Sequence, residues 1–431
     1  MSQHAASRSG LGPAVRGWAE ALAAVLAGLV GMIVVAALGL WAAGGTGLPG
    51  NPFLRVVAAI VVMAAGGTVR LSGDAGVLAE TQAELSVVPL SVSLVGALVI
   101  AWLFLRPLRH RAVLGTGELL LRFVRLAVFW LLGLAGLAAA ARQTFEVSLG
   151  DSLLGDIGDL LGASPRVGFA AGVAPTLLYG LLWLVGVTAV ALLVSRRAPL
   201  PARLVRFQAS VRPAAFAMLS LLLAYVVIAL CAGLVAAATQ GHAGRTFAVI
   251  LLALPNLAWL AFTLGLGASW EGTVKGPFGL PLPHELEEVL RTPGGSTLNL
   301  STLSERDGRA WWLLVAAVVL VLAAAFLMAV RSPDRVRPWQ HADRMGIALV
   351  LTVLSVCLLA RVTARYDLSV IGVGDIEGLG GEVTLQPRLW GALGIALVWG
   401  LAAGLIGSAL AAPVRRRAAA AAARAKDDRA R

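Results

Sequence analysis

Long apolar stretches separated by short polar segments make up most of this 431-residue chain. An α-helix rises about 1.5 Å per residue, so a helix that crosses a hydrocarbon layer of about 30 Å needs about 20 apolar residues. Eight stretches meet this requirement. They cover residues 17–43, 87–105, 119–141, 174–195, 213–238, 311–330, 345–362 and 389–411. The predicted fold is therefore an all-α, polytopic transmembrane helix bundle.

Two further apolar runs leave alternatives open. The run 53–67 is only 15 residues long, about 22 Å as a helix, which is short for a full crossing. The run 246–267 is long enough, but Pro255 and Asn256 interrupt its middle. Each run either enters and leaves the membrane on one side, as a half-span, or crosses it as a short or kinked span.

The charges of the connecting segments distinguish these alternatives, because Arg and Lys in short loops stay on the cytoplasmic side. If both runs cross, the Arg-rich segments 106–125 and 196–212 face outward. If both are half-spans on the outer side, the inner segments hold 23 basic and 6 acidic residues. The outer segments then hold 12 basic and 17 acidic residues. We therefore predict two half-spans, a cytoplasmic N-terminus (1–16), a cytoplasmic basic linker (196–212) and a basic cytoplasmic tail (412–431).

The same topology predicts two parallel membrane repeats, 17–195 and 213–411, related by an axis along the membrane normal. The string Gly155-Asp156-Ile157 precedes Arg196 by 41 positions, and Gly374-Asp375-Ile376 precedes Arg415 by the same 41. The main difference between the halves is a longer extracytoplasmic loop in the second, residues 268–310.

Composition narrows the class of protein. The chain is 58% hydrophobic and 13% charged, with a mean hydropathy of +0.85, which excludes a soluble globular domain. The net charge of +12 lies mostly beside apolar runs, so it indicates orientation and not nucleic-acid binding. Only two of the 35 basic residues are Lys. This bias is typical of a GC-rich bacterial genome and predicts the bacterial cytoplasmic (inner) membrane.

No pattern in the chain predicts catalysis. The five histidines are scattered, and there is no HExxH motif, phosphate-binding Gly-Lys-Ser loop or cysteine pair. We expect no catalytic residue, no metal site and no cofactor, and hence no enzyme. Glu20 lies four residues after Arg16, which predicts an ion pair at the inner interface. Acidic residues are otherwise missing from the predicted spans, which argues against proton-coupled transport.

The candidate binding residues lie in the two half-spans: Arg55, Pro255, Asn256 and Trp259. Pro255 cannot donate a backbone hydrogen bond, and in lipid such a break persists only where protein or a water-filled cavity satisfies it. Discontinuous segments at matching positions of two repeats often mark the binding site of a transporter. The alternatives are a kinked span that only packs in the bundle and, for Arg55, a side chain that reaches the interface.

Several strings in the chain resemble one family. LVGMIVVAALGLWAAG, FLRPLRHRAV, LVSRRAPLPARL, LPNLAWL and DGRAWWL are similar to segments of the streptophobe family of very hydrophobic actinobacterial membrane proteins. More distantly, the chain resembles permease-like membrane proteins associated with cell division. The resemblance implies a membrane location and an actinobacterial lineage, and it transfers no functional residue.

Two functions remain open from the sequence. The duplication and the paired half-spans favour a permease-like or channel-like protein without proton coupling through buried acids. The lack of buried polar chemistry favours an envelope scaffold or an accessory subunit of a membrane complex, with a protein partner at loop 268–310. In either case we expect anionic lipids to bind at the Arg-rich inner loops and at the tail.

Overall fold

The structure is a computed structural model, and it describes most of the chain. The described residues are 12–47, 52–74, 79–107, 115–146, 166–195, 202–239, 241–274, 296–332, 337–370, 374–375 and 381–430. The predicted N-terminal segment, the repeated Gly-Asp-Ile strings and part of loop 268–310 lie wholly or partly outside these residues.

Eleven α-helices lie within the described residues. They are α1 (Pro13–Ala42), α2 (Phe53–Ala64), α3 (Leu90–Leu105), α4 (Thr116–Ala140), α5 (Val173–Val194), α6 (Ala202–Thr239), α7 (Ala243–Gly265), α8 (Leu300–Arg306), α9 (Trp311–Arg331), α10 (Pro338–Leu359) and α11 (Leu389–Ala430). Eight of them are long and apolar enough to cross a membrane, which confirms a multi-pass helical bundle. This set includes α7, which was predicted as a half-span. It leaves out α3, which was predicted as a full span but has only 16 residues.

Within the described residues, nine strands form one antiparallel sheet that covers one end of the bundle, which the pattern of apolar runs did not predict. The strands are β1 (Val69–Asp74), β2 (Ala79–Ser86), β3 (Arg142–Glu146), β4 (Arg166–Ala171), β5 (Trp270–Val274), β6 (Ser296–Leu298), β7 (Val362–Val370), β8 (Gly374–Asp375) and β9 (Gly381–Pro387). They lie in the four segments that the charge pattern assigns to the outer face, 44–86, 142–173, 239–310 and 363–388, except that β7 begins one residue earlier, at Val362. Short strands in which polar and apolar residues alternate contain no run of about 20 apolar residues, so they were not predicted from such runs.

The order of strands is the same in each half of the chain. The sheet runs β3-β4-β1-β2-β7-β9-β5-β6, with β8 beside β7. Strands β3, β4, β1 and β2 of the first half thus correspond in order to β7, β9, β5 and β6 of the second. Strand β2 pairs with β7 and joins the halves, with Ser86 opposite Thr363.

Local details also match between the halves. After α2, Gly66 has φ 93° and Gly67 N–H donates to the Val62 carbonyl at 3.0 Å. After α7, Gly267 has φ 96° and Ala268 N–H donates to the Thr263 carbonyl at 3.0 Å. Positive φ values favour Gly, so the same turn leads into β1 and into β5.

The sheet is amphipathic, and its apolar face continues the core of the bundle. Trp270 and Leu298 are fully buried, and Leu385 is 7% exposed, all three in the main core cluster. On the opposite face of the sheet, Ser72, Glu84 and Gln386 are exposed. This alternation is the period of two expected for a sheet with one covered face.

Helix α7 is continuous through Pro255 and does not turn back there, contrary to the predicted break. Contacts of Gly28 with Ile100 and of Gly96 with Met32 show that α1 runs antiparallel to α3, towards the sheet. The start of α7 lies against the end of α1, and its end leads directly into β5. The two ends of α7 therefore lie beside elements that lead to or from the sheet, and whether this helix crosses the membrane stays a prediction.

Candidate functional site at the junction of the halves

Asn256 binds the backbone of the other half of the chain. Its side-chain oxygen accepts a hydrogen bond from Leu90 N–H at 3.0 Å, and its amide donates to the Val88 carbonyl at 2.9 Å. Leu90 is the first residue of α3, where backbone N–H groups have no partner within the helix. Asn256 thus caps α3 and fixes α7 of the second half against the first.

Ser91 satisfies the backbone of α7 just before Pro255. Its hydroxyl donates to the Ile250 carbonyl at 2.8 Å and accepts from Leu254 N–H at 3.2 Å. This carbonyl and N–H are four residues apart and pair with each other in an ideal helix. The Ser91 hydroxyl therefore bridges the helical turn just before Pro255, whereas the carbonyl that lacks its helical donor because of Pro255 is the next one, that of Leu251.

The other two predicted binding residues also make contacts within the chain. Trp259 donates from its indole nitrogen to the Leu222 carbonyl at 3.2 Å. Arg55 donates to the side-chain oxygen of Gln143 and to the Arg142 carbonyl. Arg55 and Asn256 each lie 14 positions before the strand that follows, at Val69 and Trp270. They occupy corresponding positions but bind different elements, β3 and the start of α3, so the structure does not bring the four residues together.

A cleft of about 330 Å³ opens on the polar face of the sheet, where β2 of the first half meets β7 of the second. The sheet-side ends of α10 and α11 form its floor. Its lining is Thr68, Glu84, Ser86, Cys357, Leu358, Arg361, Thr363, Arg365, Gln386, Pro387 and Leu389. None of the four predicted binding residues lines this cleft.

Charged residues alternate across the strands at the cleft. Arg70 lies opposite Glu84, and Glu84 lies opposite Arg365. Opposite charges directly across an antiparallel pair attract each other. Arg361, one residue before β7, is exposed and forms no ion pair with any described residue. Glu84 thus lies between two arginines of the neighbouring strands, and Arg361 adds one further guanidinium at the cleft.

The sequence contains a short signal for this cleft, separate from the long apolar runs. Glu84 and Ser86 are two residues apart, and so are Arg361, Thr363 and Arg365. Polar residues at this spacing indicate one face of a strand.

At the opposite end of the bundle, Glu20 pairs with Arg16 at 3.2 Å, as its spacing predicted. It also pairs with Arg122 on α4 at 3.0 Å.

Within the described part of the chain, no group of three His, Cys, Asp or Glu side chains is placed to hold a metal ion. Comparison with known proteins finds no family model, curated protein or solved structure that matches the chain.

Proposed function

We propose that this protein is a membrane-embedded scaffold or accessory subunit whose sheet forms a binding platform on the extracytoplasmic face. The helix bundle anchors the sheet, and the polar face of the sheet is the surface offered to a partner. In this proposal the membrane is the bacterial cytoplasmic membrane and both termini are cytoplasmic. The two halves then descend from a duplication that doubled the width of the platform.

The observation that carries this proposal is the continuity of the sheet across both halves. Eight residue pairs join β2 to β7, from Ala79–Val370 to Ser86–Thr363. The apolar face is buried against the bundle, whereas Ser72, Thr144 and Glu84 on the other face are exposed. A rigid element that presents polar groups is well suited to bind a partner without moving.

The permease-like function expected from the sequence has less support. It required Asn256 to line a water-accessible cavity between the halves. Instead, the Asn256 amide and the Ser91 hydroxyl are both bonded to backbone groups. Rocking of one half against the other would break these bonds together with the β2–β7 pairing.

Site-specific photocrosslinking in intact cells tests the platform. A photoreactive amino acid at Ser72 or Thr144, both on the exposed face, should yield a discrete adduct with one membrane or envelope protein. The same amino acid at Leu178 of α5, which is 59% exposed in the lipid-crossing region, should not yield that adduct. Loss of the adduct on Arg70→Glu would assign it to the polar face. A platform function is contradicted if neither sheet position forms an adduct that the Leu178 position lacks.

A thiol-accessibility experiment tests the permease-like alternative. In a chain with both native cysteines replaced by Ala, Asn256→Cys should resist an impermeant thiol reagent while Gln386→Cys reacts. Labelling of both positions from outside would indicate a water path to Asn256 and would favour the permease-like function.

A further inference from the structure

The cleft between β2 and β7 has the composition of an amphiphile site. Arg361, Ser86 and Thr363 offer donors on its polar side. On its floor, Leu358 is 46% exposed and Leu389 is 36% exposed, and both belong to membrane-spanning helices. A ligand seated here meets hydrogen-bond donors at one end and apolar side chains at the other.

The position of the cleft places it at the headgroup level of the bilayer. It lies at the sheet-side ends of α10 and α11, where the apolar helices give way to the polar strands. Trp390, the second residue of α11, is 89% exposed next to Leu389. An exposed Trp at a helix end is typical of the membrane–water interface.

The charges of the cleft favour one kind of headgroup. Arg365 and Glu84 lie opposite each other, so their charges offset, and Arg361 remains as the additional positive charge. A guanidinium binds a phosphate through two parallel hydrogen bonds. The Glu84 carboxylate disfavours a bare multivalent anion but accepts hydrogen bonds from a hydroxyl or an amine.

We propose that this cleft binds the phosphate of a phospholipid from the sheet-side leaflet, with Arg361 and Thr363 on the phosphate and Glu84 on the hydroxyl or amine of the headgroup. The acyl chains then lie along Leu358 and Leu389. This site is distinct from the inner Arg-rich segments, where lipid binding is expected from charge alone. It also does not depend on the platform function, because it needs no protein partner.

The chain supplies a matched control for Arg361. The strings Ala141-Arg142-Gln143-Thr144 and Ala360-Arg361-Val362-Thr363 begin the corresponding strands β3 and β7. Arg142 is also exposed and precedes a threonine by two residues, but it does not line the cleft. A nonspecific attraction of surface arginines for lipid would affect Arg142 and Arg361 alike.

The test is a titration of the purified full-length protein in a neutral detergent with phosphatidylglycerol, followed by native mass spectrometry. Wild type and Arg142→Gln should retain one lipid with equal affinity. Arg361→Gln should bind it about tenfold more weakly. Arg361→Lys should bind with intermediate affinity, since lysine keeps the positive charge but cannot form bidentate hydrogen bonds to the phosphate. An unchanged melting temperature of Arg361→Gln shows that the loss is not a loss of fold.

Two results would overturn the proposal. If Arg361→Gln and Arg142→Gln bind the lipid equally, the cleft is not the site. If inorganic phosphate binds with the same affinity and the same dependence on Arg361, the site takes a free anion and the assignment to a lipid is wrong. Failure of the titration leaves the photocrosslinking result unaffected, so this proposal and the platform function are tested separately.

Discussion

At the scale of single residues, a few polar side chains join the two halves of the molecule. Asn256 caps α3, and Ser91 bonds to both Ile250 and Leu254 of α7. Inside a membrane protein each polar group needs an internal partner, because lipid offers none. These bonds therefore fix α7 against α3 more specifically than apolar contacts alone.

Replacing Ser91 with Ala should destabilise the protein by about 1–2 kcal/mol, because the Ile250 carbonyl and the Leu254 N–H each lose a partner. Thermal unfolding in detergent measures this effect as a lower midpoint. Ser355→Ala is the matched control, since the Ser355 hydroxyl donates at the same 2.8 Å but to Leu351 within its own helix. Equal midpoints for the two variants would contradict the role of Ser91 as a link between the halves.

The sequence could predict that the region of Pro255 needs a partner, but not which one. The missing N–H of proline is a local property that can be read from the sequence, but the helix remains continuous through Pro255. The partners of Asn256 lie 166 and 168 positions away, at Leu90 and Val88. Contacts at this distance are fixed by the packing of the whole bundle, so the sequence alone could not indicate that Asn256 bonds to these backbone groups.

At the scale of elements, glycines determine how closely α10 and α11 pack. A Cβ added to Gly400 would lie 2.6 Å from Gly346 Cα, and one added to Gly404 would lie 2.7 Å from Ala342 Cα. Small residues four positions apart let two helix backbones approach in this way. The Gly400–Gly404 pair in the sequence therefore acts in helix packing.

Gly400→Ala or Gly404→Ala should push α10 and α11 apart and lower stability by about 1–3 kcal/mol. The control is Gly391→Ala, in the same helix, where an added Cβ meets nothing within 4 Å. At Gly391 we expect no loss and a slight gain, because Ala favours the helix. A loss at Gly391 equal to that at Gly400 would contradict close packing as the cause.

The long helices could be predicted from the sequence, whereas the sheet could not. About 20 consecutive apolar residues have few alternatives to a membrane helix. Strands such as β1 and β3 have only 6 and 5 residues, and the sheet joins loops far apart in the chain, as where β1 pairs with β4 and β2 pairs with β7. Their alternation of polar and apolar residues, as at Val69 to Ser72, is present in the sequence but is too short to fix which strands pair.

At the scale of the whole molecule, the four segments that were predicted to lie outside meet in one sheet. The segments 106–111, 196–212, 331–344 and 415–417 are predicted on the opposite, cytoplasmic side. Cysteines placed in these segments, in a chain without its native cysteines, should resist an impermeant thiol reagent in whole cells. Cysteines at Ser72 or Gln386 should react. Outside labelling of the 196–212 segment would contradict this topology.

The central claim, that one sheet unites the two halves, is tested most directly by disulfide crosslinking between β2 and β7. In a chain without native cysteines and with a protease site in the linker at residue 198, Ser86→Cys/Thr363→Cys and Leu85→Cys/Ala364→Cys should each hold the cleaved halves together until reduction. These pairs are in register on opposite faces of the sheet. The mismatched pair Leu85→Cys/Thr363→Cys should crosslink far less, because its side chains point to opposite faces. If the matched pairs crosslink no better than the mismatched pair, β2 and β7 do not form this register and the two halves do not share one sheet.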